Sequence, residues 1–517
     1  MRRCLQLAFL VVFITFFFSA TYGVLLPADL LLRLDPLLGL STFIAARQLS
    51  VPLLLSFFVL ASALLAGRIF CGFICPLGTL FDLLPARNHA VPLKATPVNT
   101  VFFWCIALCC LWGINLAGIA DPLALLSRVL TFVVRPVLDG VGTTFLDAAR
   151  PAAEHLHWVR MARASLSQSV YAYATLTALI LIGLGMLNWY SRRVWCRSVC
   201  PLGALLGICS QVALFRRRVT SRCTRCMQCV HACPMGAISD DPAVTWSAHC
   251  IMCHTCSHLC PEATIQFSPS PSIPSLQQQA FRYHRRTLLA ACATSAFAIF
   301  SLRATPAHRS AQQAVLRPPG AVPENIFLQR CVRCGLCMAV CPTNTLQPCL
   351  FEATLEGIWS PRVVPRHAGC DQTCNRCGAV CPTGALRSLS LDEKKHAKIG
   401  TAWIDTNRCL VWSQSRVCFI CDEQCPYNAI IFKWHEGVRK PFVIDVRCNG
   451  CGLCEQQCPV AGASAIIVTP QGELRLLTGS YLHEAHKLQL ELKEDPGADH
   501  YLPEDTQSPP APPPKNP

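Results

Sequence analysis

Cys448-Asn-Gly-Cys451-Gly-Leu-Cys454-Glu-Gln-Gln-Cys458-Pro459 holds the spacing on which the fold turns: three cysteines two residues apart, a fourth after three more, then proline. The same spacing recurs at Cys223, Cys226, Cys229 and Cys233, at Cys250, Cys253, Cys256 and Cys260, and at Cys331, Cys334, Cys337 and Cys341. Two further tetrads stretch only the first gap. Cys370, Cys374, Cys377 and Cys381 have three residues there, and Cys409, Cys418, Cys421 and Cys425 have eight. Proline follows the last cysteine every time, at Pro234, Pro261, Pro342, Pro382, Pro426 and Pro459.

Such a run lets three thiolates from one loop wrap a corner of a cubane, while the proline turns the fourth towards the cluster of a partner motif. Paired motifs therefore make paired clusters. In the first Cys-rich segment this joins Cys223, Cys226 and Cys229 to Cys260, and Cys250, Cys253 and Cys256 to Cys233. Six tetrads imply about six 4Fe-4S clusters and about 24 irons per chain. Structural zinc also takes four cysteines, but from two separated Cys-x2-Cys pairs with no third cysteine at the next step. Disulfide scaffolds are short secreted chains, unlike these 517 residues with 35 cysteines. Cys250-Ile-Met-Cys253-His254 matches the c-type haem attachment string, but its cysteines belong to a complete tetrad, so His254 reads as incidental. Cys349, Cys105, Cys109 and Cys110 read as buried core thiols.

The rest of the chain is apolar, with 52% hydrophobic and 15% charged residues and a mean hydropathy of +0.37. Residues 331–517 carry 18 Lys/Arg against 19 Asp/Glu, so the net charge of +15 comes from the earlier part. Juxtamembrane loops produce such a bias. No basic stripe interleaved with aromatic residues is present, and nucleic acid is not an expected partner. Stretches 5–26, 50–66, 101–120 and 170–189 approach the roughly 20 residues of a membrane-spanning helix. A cytoplasmic position for Arg2 and Arg3, for Arg68, Arg87 and Lys94, and for the arginines from Arg192 to Arg218 gives a four-span topology. The loop 121–169, with five arginines, stands against it.

Within this part Arg68-Ile-Phe-Cys71-Gly-Phe-Ile-Cys75-Pro76-Leu-Gly78 matches Arg193-Val-Trp-Cys196-Arg-Ser-Val-Cys200-Pro201-Leu-Gly203, each after an apolar stretch. The bundle thus reads as two copies of a two-helix unit. Residues four apart share a helical face, which puts each pair of sulfurs together. Two sulfurs are too few for a cubane. A shared cluster, a redox-active disulfide and metal transfer stay open for Cys71, Cys75, Cys196 and Cys200.

The expected fold is an α-helical four-span membrane bundle over residues 1–220 with two α+β ferredoxin-like iron–sulfur modules. A two-cluster module takes 221–267 and a four-cluster module 324–470. Between them, 268–323 holds the linker Ser268-Pro-Ser-Pro-Ser-Ile-Pro-Ser275 and an apolar run led by Arg285-Arg286. The tail 471–517 turns acidic and then proline-rich, and is expected to be disordered at its end. No phosphate-binding glycine loop, nucleophile elbow or dinucleotide fingerprint occurs, and no catalytic residue is expected. His89, His155 and His157 form no haem-ligand pattern.

Residues 1–267 resemble the NapH-type membrane ferredoxins, related to the NosR and CcoG groups, in the four apolar stretches, both Cys-x3-Cys-Pro-Leu-Gly repeats and the paired tetrads. Residues 285–470 resemble the NapG/MauM-type four-cluster ferredoxins, which begin with a twin-arginine signal. Arg285-Arg286-Thr287-Leu288-Leu289 matches the core of that signal, with His284 for the usual Ser or Thr and Ala290 for the common Lys. The whole looks like a fusion of two proteins. The resemblance implies one motif pair nested inside another, the third tetrad exchanging fourth ligands with the sixth and the fourth with the fifth. It implies a bacterial inner membrane location, with the first module cytoplasmic and the second periplasmic. It further implies that electrons pass from quinol to a periplasmic reductase or c-type cytochrome. The CcoG likeness implies a rival, an assembly factor that moves or reduces a metal through the Cys-x3-Cys-Pro pairs. A scaffold subunit with inert clusters is the third reading.

Overall fold

The computed structural model describes residues 2–22, 27–48, 51–87, 98–164, 168–269, 285–303 and 315–492. His89, most of the Pro/Ser linker and the tail from 493 lie outside the described residues. Helices fill the first part: α1 (Arg2–Thr21), α2 (Ser56–Ala66), α3 (Val98–Leu111), α4 (Pro122–His155), α5 (Ala174–Tyr190) and α6 (Pro201–Ser210), joined by α7 (Arg285–Arg303). Among the described residues only α1 and α4, of 20 and 34 residues, are long and apolar enough to cross a membrane.

This corrects the four-span expectation, and each shortfall has a local cause. After α3 the chain turns at Gly113, whose φ of 80° is left-handed. Tyr173, at φ 63°, delays the start of α5. A 3-10 turn, Val51–Leu55, precedes α2, and Gly67 at φ 67° ends it. The sequence pattern reads α4 as a loop because it carries Arg128, Arg135, Asp139 and an internal Pro151. Arg128, Arg135 and Asp139 are in fact buried.

The helices run between two ends of the bundle. At the first, Arg2 and Gln6 of α1 donate to Asp82 at 2.5 and 2.9 Å, and Asn188 of α5 donates to the Phe81 carbonyl at 3.2 Å. At the second, α3 stops and α5 begins. α7 packs along α3, with Ala298 and Ile299 beside Cys109 and Ile114. The chain therefore travels the length of the bundle between its two Cys-rich modules.

The first module is closed by β1 (Phe215–Val219) and β2 (Ile265–Pro269), antiparallel with Phe215 opposite Pro269. It docks at the first end, where Arg68 Nη1 donates to the Ala248 carbonyl at 2.9 Å and Ser210 Oγ to the Ser247 carbonyl at 2.9 Å.

The second module consists of two units in tandem. In one, β3 (Leu346–Pro348) pairs with β4 (Pro361–Val363), and a bridge between Ala321 and Leu386 closes the ends. In the other, β5 (Thr401–Ile404) pairs with β8 (Ile466–Thr469) around the hairpin of β6 (Ile430–His435) and β7 (Val438–Val443). This module docks at the second end. Asn115 Nδ2 donates to the Gln329 carbonyl at 2.9 Å, Tyr171 Oη to Met338 at 3.0 Å and Asn344 Nδ2 to Val170 at 2.6 Å. Arg333 and Arg135 donate to the carbonyls of Asn115 and Ala339.

A Cβ on Gly72 would stand 2.5 Å from the Ile251 carbonyl oxygen, and one on Gly118 would overlap the Val332 carbonyl. Gly72→Val is expected to loosen the first module alone and Gly118→Val the second alone, each by about 1–3 kcal/mol. Module-resolved hydrogen exchange would show this; equal loosening of both modules by either change would contradict the two-ended docking.

Candidate iron–sulfur sites

The four tetrads with two-residue gaps share one backbone path. A left-handed residue flanks the second cysteine on both sides: Arg225 and Met227, Met252 and His254, Arg333 and Gly335, Gly450 and Gly452. A short helix then carries the third cysteine, as in Gln228–His231, Thr255–His258, Leu336–Ala339 and Leu453–Gln457. Where the first gap is longer the strain disappears. Asn375 and Phe419, which follow the second cysteines of the fourth and fifth tetrads, have φ of −128° and −122°.

The fold gathers the thiols into groups of four. Cys250 is in electrostatic reach of Cys233, Cys253 and Cys256, and all four line one cavity. Cys229 is in reach of Cys223 and Cys226 and shares its hydrophobic cluster with Cys260. In the second module Cys337 faces Cys331, Cys334 and Cys381, and Cys377 faces Cys370, Cys374 and Cys341. Cys421 faces Cys409, Cys418 and Cys458, and these four line another cavity. Cys454 faces Cys448, Cys451 and Cys425.

The third tetrad thus exchanges with the fourth, and the fifth with the sixth. The nested arrangement implied by the resemblance is corrected to two tandem pairs. The physical reason is strand closure: the Ala321–Leu386 bridge and the β5–β8 pair each shut one unit on itself. The units meet where the Cys370 N–H donates to the Cys451 carbonyl at 2.7 Å. Cys409, despite its eight-residue gap, lies with its group. His254 packs its ring 4.1 Å from that of Phe267, and Cys349 is fully buried.

Each group fits a cluster better than a single ion. No disulfide joins any of the 35 cysteines. Among the described residues no three Cys, His, Asp or Glu side chains converge on a point where one metal ion would sit. A zinc tetrad would need that convergence, with Zn–S of about 2.3 Å. Burial pushes the Cys421 and Cys451 thiols up to about 12. Backbone amides already point at several sulfurs: Ala237 N–H to Cys233 at 3.3 Å, Leu386 to Cys381 at 3.4 Å, Ala402 to Cys448 at 3.4 Å and Ala429 to Cys425 at 3.3 Å. Hydrogen bonds to sulfur are among the factors that set cluster potentials.

The Cys-x3-Cys pairs do not sit on regular helical faces. Cys71 lies in a π turn, Phe70–Ile74, and Cys75 and Cys200 are the N-caps of Pro76–Leu83 and α6. Cys75 and Cys200 each close an i to i+5 turn, onto Phe70 at 2.9 Å and Trp195 at 3.0 Å. All four thiols, Cys71, Cys75, Cys196 and Cys200, come within electrostatic reach of one another.

A buried carboxylate pair was not foreseen. Asp35 Oδ1 caps its helix through the Leu37 N–H at 2.8 Å, and Asp121 Oδ2 caps α4 through Leu123 at 3.0 Å. The remaining oxygens, Asp35 Oδ2 and Asp121 Oδ1, are buried without a partner among the described residues, and the two carboxyl groups lie within interaction reach of each other. Two facing carboxylates in such a site hold a proton between them. The repeated Asp35-Pro36-Leu37 and Asp121-Pro122-Leu123 was the available signal.

Fold and sites together define a multi-cluster 4Fe-4S ferredoxin. Profiles of 4Fe-4S binding domains match residues 49–93 and 172–222, and 218–239 and 325–347; a 4Fe-4S dicluster domain matches 416–462. The dicluster match takes in Cys418, Cys421 and Cys425 of the fifth tetrad and the whole sixth tetrad as one unit, with Cys409 outside it, in agreement with tandem pairing. The methylamine utilization ferredoxin-type protein MauM of Paracoccus denitrificans is 37% identical over 165 residues, 30% of this chain and 71% of the relative. The ferredoxin-type protein NapG of Escherichia coli is 36% identical over 173 residues, 31% and 74%. The regulatory protein NosR of Pseudomonas aeruginosa is 32% identical over 202 residues, 37% and 24%. The chain belongs to the MauM/NapG family of ferredoxin-type iron–sulfur electron-transfer proteins. No solved structure matches it.

Tandem exchange makes a sharp expectation. Cys331→Ser combined with Cys381→Ser should cost one cluster, about four irons, whereas Cys331→Ser combined with Cys458→Ser should cost two, about eight. Iron and acid-labile sulfide per chain read the difference. Nested exchange would reverse the two losses.

Proposed function

We propose that this chain is a membrane-bound electron-transfer protein of the bacterial inner membrane that takes electrons from quinol and delivers them to a periplasmic reductase or a c-type cytochrome. The observation that carries the proposal is the docking of two cluster-binding modules at opposite ends of one helix bundle. In this reading residues 1–267 are a NapH-like half and 285–470 a NapG/MauM-like half, fused. Each of the six thiol groups holds one cubane, which when bound supplies one-electron transfer. The chain's own residues set where the clusters sit, how they are hydrogen-bonded and how far apart they lie.

Lipid contact is supported by helices that are polar inside and apolar outside. α5 buries Thr177, Leu184 and Asn188 and exposes Leu179, Ile182, Met186 and Trp189; α2 buries Ser56 and exposes Phe57 and Phe58. A soluble amphipathic helix has the opposite arrangement, and an exposed apolar surface of this kind marks an interaction site. The passage of α7 along the bundle supports opposite sides for the two modules, with the second periplasmic.

Quinol oxidation releases two electrons and two protons, and both need acceptors. The 17 residues of α5 separate the two ends by roughly 25 Å, long for one tunnelling step, which favours a diffusible carrier entering from the bilayer. The Asp35–Asp121 pair, which already shares one proton, can pass that proton on and accept one from quinol in each one-electron step. Arg128 lies between that pair and the second module, in reach of both Asp121 and Cys334, with its guanidinium 4.5 Å from the Trp359 ring centroid. Asp35→Asn and Asp121→Asn should each slow quinol-dependent cluster reduction by about a hundredfold, with reduction by dithionite unchanged. Unchanged quinol-dependent rates in both variants would remove quinol oxidation from this site.

A further inference from the structure

We propose that Cys71, Cys75, Cys196 and Cys200 together hold a seventh cubane, shared between the two repeats of the bundle; the inference rests on the cluster-binding reading above but not on quinol. Each repeat alone offers two sulfurs. The structure folds the repeats face to face so that one group of four forms, with Cys75 and Cys200 buried.

The arginines three residues before the first cysteines are exchanged between the repeats. Arg68 Nη2 donates to the Cys196 carbonyl at 3.3 Å, and Arg193 Nη1 donates to the Cys71 carbonyl at 3.1 Å. Arg193 also reaches Gly78 at 3.0 Å and Asp82 at 2.8 Å. The Gly203 amide donates to the Cys200 sulfur at 3.3 Å. Gly203 has no room for a side chain, because a Cβ would meet Arg68 Nη2 and the Cys196 carbonyl.

Both guanidinium groups are almost wholly buried, Arg68 at 1% and Arg193 at 0% exposure. Burying a cation is costly without a counter-charge, and Asp82 is shared among Arg2, Arg192 and Arg193. Among the described residues Arg68 has no carboxylate partner, and neither its buried Nε nor Trp195 Nε1 beside Cys196 finds an acceptor. Four thiolates around a doubly positive cubane core leave two negative charges. Arg68 and Arg193 match them in number, and sulfide or thiolate sulfur would accept from the orphaned donors.

The group is also contiguous with the first module. Cys71 and Cys196 pack with Met235, Ala237 and Ile251 against Cys233, Cys250 and Cys253. A cluster here would carry electrons between that module and the bundle interior.

The test is iron, acid-labile sulfide and zinc per chain on anaerobically purified full-length protein, with EPR of the reduced form. Native protein should hold about 28 irons, and Cys71→Ser with Cys196→Ser should lower this by about four while leaving six clusters. A native content of about 24 overturns the seventh site and leaves the six-cluster reading intact; because it is read on the native chain, it decides even if the variant fails to fold. Loss of zinc without iron, or of about two irons, equally overturns a shared cubane.

Discussion

One loop of this spacing can present only three thiols to a cubane, and the fourth ligand must come from a neighbour. Most of the architecture of the Cys-rich modules follows from that shortage. It forces motifs into pairs, so each unit needs its ends brought together, which β1–β2 and β5–β8 do by antiparallel pairing. It also brings the two sites of a unit close, since Cys337 of one group lies within reach of Cys377 of the other. Proline after the fourth cysteine serves the same end. In five of the six tetrads a left-handed residue stands three places after that cysteine, at Gly236, Ala263, Asn344, Gly384 and Asn428, so that the chain reverses and leaves the sulfur facing the partner loop.

Buried arginines do for the junctions what cysteines do for the sites. Arg68, Arg135 and Arg333 each cross from one part of the molecule to a backbone carbonyl of another. A carbonyl is a weak counterpart for a desolvated cation, and here the guanidinium groups lie beside thiol groups whose clusters would carry negative charge. Docking and cluster binding are therefore coupled. The same arginines weaken any topology argument from charge counts, because Arg68, Arg193 and Arg197 are structural and buried, not loop charges facing a cytoplasm.

The six tetrads were legible in the sequence because a cluster imposes local spacing, and local spacing survives any tertiary arrangement. Pairing between distant tetrads was not, since cysteine spacing is identical for nested and tandem exchange. What decided it was the contact of Ala321 with Leu386, a bridge between two unremarkable residues. Helix lengths failed for a related reason. Hydropathy reads 101–120 as continuous, but a single left-handed Gly113 divides it. Conversely, Arg128, Arg135 and Asp139 disguise α4, because burial with partners from other elements leaves no trace in a composition window. For the Cys-x3-Cys pairs the repeat itself was visible. Their convergence required knowing that the repeats face each other through exchanged arginines.

The order of the groups along the second module follows from its contacts alone. Cys334 belongs to the same hydrophobic core as the bundle helices, so its group is the one nearest the bundle. Cys341, lent to the next group, carries the path to Cys370, and the Cys370–Cys451 contact carries it into the second unit. The group of Cys409, Cys418, Cys421 and Cys458 is then left at the far end, beside Val417, which is 83% exposed. A tandem module is thus a line with two distinct ends, whereas nested exchange would fold the same four groups back on themselves. Only a line gives an electron that arrives beside the bundle a separate place to leave.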